Sequence, residues 1–191
     1  MCAASSSSDA AAVRALLPSA DLSALEIDAF LRSSAGNVAL AAGSLEAKLS
    51  WLQRTRVTIE RVAPFYRSEG FSVVLEGHTD VHGDPVVFSN GILHGSVQDV
   101  AAQVLYTHER VLALCTASAR PALRATTIVN VRNPTFRFPD AAARAAIALT
   151  GKHYPWSSTG TTVFVGFPAP VRWTFNKLSA FMSPEQASPT L

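Results

Sequence analysis

A chain of 191 residues, 48% of them hydrophobic and only 16% charged, is long enough for one domain and greasier than most soluble ones. No apolar run reaches the ~18 residues that cross a bilayer, so the surplus must face a core, a cavity or a partner. A formal charge of +2 with no basic stripe argues against nucleic acid as a partner.

Residues 1–8 are small and polar and are expected to be disordered. Asp9 can cap a short helix that Pro18 ends. A second helix is expected from Asp21 or Ser23 to Arg32. Asn37 caps a third, in which Val38, Ala41, Ala42, Leu45, Leu49 and Leu52 recur at helical spacing. Residues 9–63 therefore read as a small helical lobe. Its helices are too short to be stable alone and must pack on each other or on the C-terminal part of the chain.

From Phe71 the pattern changes. FSVVLEG and PVVF are short β-branched runs separated by Gly, Asp and Pro, which predicts a strand pair. Ser96 and Asp99 open a long helix whose buried face runs through Val100, Val104, His108, Val111 and Cys115. TTIVNV reads as a buried strand, and Pro139 and Asp140 start a helix reaching about His153. TTVFVGF is expected to be another buried strand, with an amphipathic helix after it. Alternating strands and helices over residues 64–191 predict an α/β domain with a mainly parallel sheet.

The chain carries little recognisable reactive chemistry. No G-x-S-x-G nucleophile turn is present, and Lys152 lacks the upstream glycine of a phosphate-binding loop. His108 and Cys115 are seven apart on one helix, about 10 Å, too far for a nucleophile and its base. Cys2 and Cys115 offer no disulfide framework and suit a reducing compartment. The start, MCAASSSSDAAAVRALL, lacks a basic stretch followed by a long apolar one, so a cytoplasmic protein is expected. GHTDVHGDPVVF, residues 77–88, is the exception. His78, Asp80 and His82 could ligate a metal and support a metal-dependent hydrolase. Alternating along a strand, however, the trio would spread over ~13 Å, whereas ligands must converge on ~2 Å bonds. Gly77, Gly83 and Asp84-Pro85 instead punctuate an exposed turn. No metal and no cofactor are expected.

Four stretches, in order, resemble the CRAL-TRIO lipid-binding family. DAFLRSSAGNVALAAGSLEAKLSWLQ (28–53) is similar to the helical lobe before the domain, and GDPVVF (83–88) to the Gly-Arg-Pro-Val strand entry. KHYPW (152–156) is similar to the Tyr-Pro after the second crossover helix. GFPAPVRWTFNKLSAFMSP (166–184) resembles the gate helix with its flanks. The resemblance covers about 155 residues. It implies a non-enzymatic protein that holds one apolar lipid in an internal pocket and transfers or presents it at membranes, with transient membrane contact. Residues 169–182 would be the gate helix.

The departures from the family pattern narrow the ligand. Phosphoinositide-binding members carry an Arg-Lys pair where this chain has Ser34 and Ala35, and a gate lysine where it has Ser179. Fixed cationic donors contribute ~1.5–3 kcal/mol each to binding a phosphorylated headgroup, so their loss points to a neutral or weakly polar lipid. The family arginine of the strand entry is Asp84, and the aspartate of the central strand is Asn130. No carboxylate lies between Asp140 and Tyr154. Members of the family also add a strand and a helix beyond the gate, so this domain is expected to be short at its C-terminus. Pocket candidates are Val87, Val129, Val131 and Phe164 (or Val163 and Val165, since a one-residue slip exchanges the faces), with Trp173, Phe175, Leu178 and Phe181 on the gate. Tyr106, His153 and Tyr154 could hydrogen-bond a lipid hydroxyl or carbonyl. The competing expectation is an interaction module on the same fold whose pocket has filled with side chains.

Overall fold

A computed structural model describes residues 7–55, 72–89, 97–130, 141–158 and 160–166. Val131, Ser96, Pro139, Asp140 and the whole of 167–191, with the gate residues and Ser179, lie outside the described residues.

The three helices expected before the sheet form. Helix α1 spans Ser7–Leu16 and starts two residues before Asp9, so Ser7 and Ser8 are helical rather than disordered. Asp9 sits in the first turn, where its charge complements the helix dipole. Helix α2, Ala24–Ser33, is capped by Ser23, whose Oγ accepts the Glu26 N–H at 3.1 Å. It ends in a left-handed exit, with φ of 51° at Ala35 and 80° at Gly36, where the Gly36 N–H reaches the Leu31 carbonyl at 2.8 Å. Helix α3, Val38–Thr55, is capped by Asn37, whose Oδ1 accepts the Leu40 N–H at 3.1 Å. Ala41, Ala42 and Leu45 are buried as their spacing predicts, and Lys48 continues the same stripe into the core.

The second half forms a mixed, mostly parallel four-stranded sheet. Strand β1, Ser72–Thr79, and strand β2, Pro85–Ser89, make an antiparallel hairpin with Val74 opposite Val87. Helix α4, Val97–Ala117, leads to strand β3, Thr126–Asn130. Helix α5, Ala141–His153, and a 3₁₀ turn, Pro155–Ser158, lead to strand β4, Thr161–Val165. Strands β2, β3 and β4 pair in parallel in the order β1-β2-β3-β4, which requires the crossover helices α4 and α5.

Register decides which side chains share a face. Val87 pairs with Thr127, Ser89 with Val129, and Val129 with Phe164. Side chains alternate along a strand, so Val74, Val87, Thr127, Val129 and Phe164 share one face. Val74 and Val87 pack there into a core with Val100, Val104 and Val111 of α4. Phe88, Ile128, Val163 and Val165 belong to the opposite face. Strand β4 differs from the fully buried strand expected of TTVFVGF, since Val163 and Val165 are 42% and 39% exposed. It ends the described sheet, and these two valines project from the side away from α4.

One apolar cluster runs through both halves of the chain. It joins Val13, Ile27, Phe30 and Leu45 of the first three helices to Tyr154 and Trp156 beside the sheet. Phe30 meets Trp156 edge-on, with ring centroids 6.0 Å apart. Full burial of a large side chain contributes about 1.5–3 kcal/mol, so α2 and α3 are anchored by packing on the end of α5 and the turn after it.

Candidate ligand-binding site

Residues 80–84, between β1 and β2, fold as a turn held by Asp80. Asp80 Oδ1 accepts the backbone N–H of His82 at 2.8 Å and of Asp84 at 2.9 Å, while Oδ2 accepts the Thr126 hydroxyl at 2.7 Å. Those hydrogen bonds, the Thr126 one foremost, hold the Asp80 carboxyl below its ordinary range. His78 Nδ1 lies 3.0 Å from the Glu76 carbonyl on its own strand. Among the described residues no group of three or more His, Cys, Asp or Glu could hold a metal ion, so His78, Asp80 and His82 do not converge. Asp84 is buried and accepts from the Arg120 guanidinium at 2.7 Å, with Arg124 3.7 Å from its other oxygen. At the strand entry, the aspartate thus ties the hairpin to the chain leaving α4.

A cavity of about 130 Å³ lies between the helix-covered face of the sheet and α4. Val87, Val111, Thr127 and Trp156 form its walls, together with Thr107 and His108. His108 Nδ1 is 2.7 Å from the Val104 carbonyl. A carbonyl only accepts, so the hydrogen sits on Nδ1 and Nε2 remains the ring's acceptor. Among the described residues expected in the pocket, only Val87 lines this cavity. Val129 and Phe164 share its face of the sheet, and Tyr106 is half-buried on α4. Cys115 is fully buried, its Sγ 3.5 Å from the Arg124 carbonyl, and burial pushes the thiol's pKa up, which leaves it unreactive.

Beside the cavity lies an ionic cluster that sequence patterning does not reveal. Lys48 is 1% exposed; its ammonium pairs with the buried Glu26 carboxylate and lies 2.7 Å from Glu109 Oε1 on α4. The same ammonium stands 4.8 Å from the Tyr154 ring centre and 5.2 Å from that of Trp156. Burial raises the Glu26 pKa against the pull of Lys48, and burial beside Glu109 drives that of Tyr154 far up. The one available signal was that Lys48 comes three residues after Leu45 and seven after Ala41, on the apolar stripe of α3. His153 and Tyr154 serve this cluster: His153 stacks on Trp51 with centroids 4.5 Å apart, and Tyr154 stacks on His108 at 4.6 Å.

Burial holds both histidines neutral. It lowers the His153 pKa from 6.5 to about 4, helped by Lys152, Lys48 and Arg54, and it lowers that of His108. Between about pH 6.5 and 4 the unfolded chain binds protons that the folded chain refuses, so stability falls as pH drops through that window. Glu26, with its raised pKa, acts in the opposite sense, contributing stability that is lost as pH rises above 4.5. His153→Phe keeps a ring on Trp51 and leaves Glu26 in place. Urea midpoints measured from pH 7 to pH 4 should therefore fall less steeply for this variant than for the parent; identical slopes would contradict the neutral, buried His153.

The opposite face of the sheet carries the exposed Val163 and Val165, with half-buried Phe88 and Ile128 beside them. Gly166 comes directly after, and from residue 167 the chain lies outside the described residues. No helix among the described residues is long and apolar enough to cross a membrane. No protein-family model matches the chain, and no curated protein matches it.

Proposed function

We propose that the protein binds a neutral or weakly polar lipid and transfers or presents it at membranes, as its resemblance to CRAL-TRIO domains implies. The observation that carries this reading is the apolar face around Val163 and Val165, exposed on the side of the sheet away from α4. The segment after β4 supplies Trp173, Phe175, Leu178 and Phe181. In this reading the guest lies on that face, against the alternative pair Val163 and Val165 and not against Val87, Val129 and Phe164 on the helix side, and residues 169–182 close over it. A lipid chain gains ~0.8 kcal/mol per buried methylene, enough to hold it against water but not against a bilayer. Exchange then takes place at the membrane surface with the gate open, and the tryptophan suits the interfacial layer. Ser34, Ala35 and Ser179 stand where phosphoinositide binders carry cations, which disfavours a phosphorylated headgroup.

The rival reading, an interaction module with a filled pocket, draws support from the small cavity on the helix side. Its 130 Å³ falls well under the ~300–1,000 Å³ of ordinary ligand pockets. A vesicle-to-vesicle transfer assay with a fluorescent neutral lipid separates the two. The parent should catalyse transfer. The double variant Trp173→Ala/Phe175→Ala should slow it roughly tenfold, since two lost aromatic contacts each weaken membrane engagement by about 0.5–1.5 kcal/mol. An unchanged rate would remove residues 169–182 from the mechanism.

A further inference from the structure

The helix-side cavity has a chemistry of its own, independent of the lipid reading and on the other side of the sheet. We infer that it is a binding site for a small neutral alcohol with a compact ring, of the size of phenol, seated between β2, β3 and α4. Three observations converge on that class of ligand.

The first is volume. At about 130 Å³ the space is close to the ~150 Å³ at which an apolar protein cavity takes up benzene. A six-membered ring fits, and a lipid chain does not. The second is the wall. Val87, Val111 and the Trp156 ring give it apolar sides, and among the described residues no Asp, Glu, Lys or Arg lines it. An ionised ligand would lose its hydration there without gaining a counter-charge. The third is the polar complement. The Val104 carbonyl fixes the proton of His108 on Nδ1, so this lining ring offers an acceptor at Nε2 and no second donor. Thr127 adds a hydroxyl from β3. Thr107, Ser72 and Ser157 add further hydroxyls, each able to donate or accept, so the neutral imidazole is the one pure acceptor among the wall's described side chains. A guest that donates a hydrogen bond from an apolar body uses it, and a bare hydrocarbon leaves it unused.

Burial keeps His108 in the accepting, neutral form, and its ring is braced by the stack on Tyr154. Ser72, half-buried at the start of β1, and the exposed Ser157 of the 3₁₀ turn also line the cavity.

The test uses the whole chain and fluorine NMR with three probes: 4-fluorophenol, fluorobenzene and 4-fluorobenzoate. 4-Fluorophenol should bind saturably. Fluorobenzene should bind about 3- to 10-fold more weakly, the worth of one hydrogen bond, and 4-fluorobenzoate should not bind. Val111→Phe fills the cavity and should abolish 4-fluorophenol binding. His108→Leu should bring 4-fluorophenol down to the affinity of fluorobenzene. In the unaltered protein, 4-fluorophenol should shift the Trp156 indole N–H resonance, a readout that depends on no variant folding. Equal binding of the phenol and the hydrocarbon, binding of the benzoate, or a Trp156 signal that stays still at saturation would each overturn the inference.

Discussion

Lys48→Ala should lower the unfolding free energy by about 3–5 kcal/mol, the cost of removing one partner from a buried ion pair. The ammonium is 1% exposed and Glu26 is 4% exposed, so the carboxylate left behind could not be rescued by water. Glu109 is different: its Oε1 is buried against Lys48, but the side chain as a whole is 34% exposed and reaches water. The damage should therefore trace to Glu26. A double variant, Lys48→Met/Glu26→Leu, should regain most of the loss, because apolar residues of similar volume replace a buried pair at little cost. Urea unfolding of the parent, the single and the double variants measures both quantities. A loss under about 1 kcal/mol for Lys48→Ala would contradict the buried cluster, since that is the range of a surface pair.

Gly160→Ala should be nearly as damaging, for a reason that involves no charge. A methyl group built on Gly160 would collide with the Ala125 carbonyl oxygen and stand 3.1 Å from its carbon. Both obstacles are backbone, at the point where β3 and β4 begin to pair, so the strand ends would have to part. Overpacking a core typically costs about 1–3 kcal/mol, and the upper end or more is expected where no side chain can swing aside. Gly151→Ala is the matched control: nothing lies within 4 Å of its added methyl group, and in helix α5 alanine should stabilise by roughly 0.5–1 kcal/mol. Hydrogen exchange should accelerate for the β3–β4 amides in Gly160→Ala and in no other part of the sheet. A silent Gly160→Ala would mean that β4 does not enter the sheet as described.

Local chemistry was legible in the sequence, and long-range pairing was not. Ser23 and Asn37 cap the helices expected of them because a cap is decided within four residues. The hairpin and the mainly parallel character of the sheet were readable from alternating strand and helix patterns, and the order of the strands was not. Strand faces were a different matter. Val163, Phe164 and Val165 are chemically interchangeable until β4 is set against β3, and only the pairing of Phe164 with Val129 separates them. Asp80 shows the same limit at a polar site. Two histidines and two aspartates in seven positions suggest ligands, whereas the partner that settles the carboxylate is Thr126, 46 residues away. Lys48 was hidden for the opposite reason. A lysine among apolar helix positions reads as a solvated charge until Glu26 and Glu109 are brought to it by two other helices.

The lipid-carrier account is tested most directly by what the protein holds when it is taken from cells. Native mass spectrometry of the purified chain, followed by extraction into organic solvent, should show about one neutral or weakly polar lipid per chain, with phosphoinositides absent. A spectrum of bare chain alone, with nothing in the extract, would contradict the account and favour an interaction module built on the same sheet.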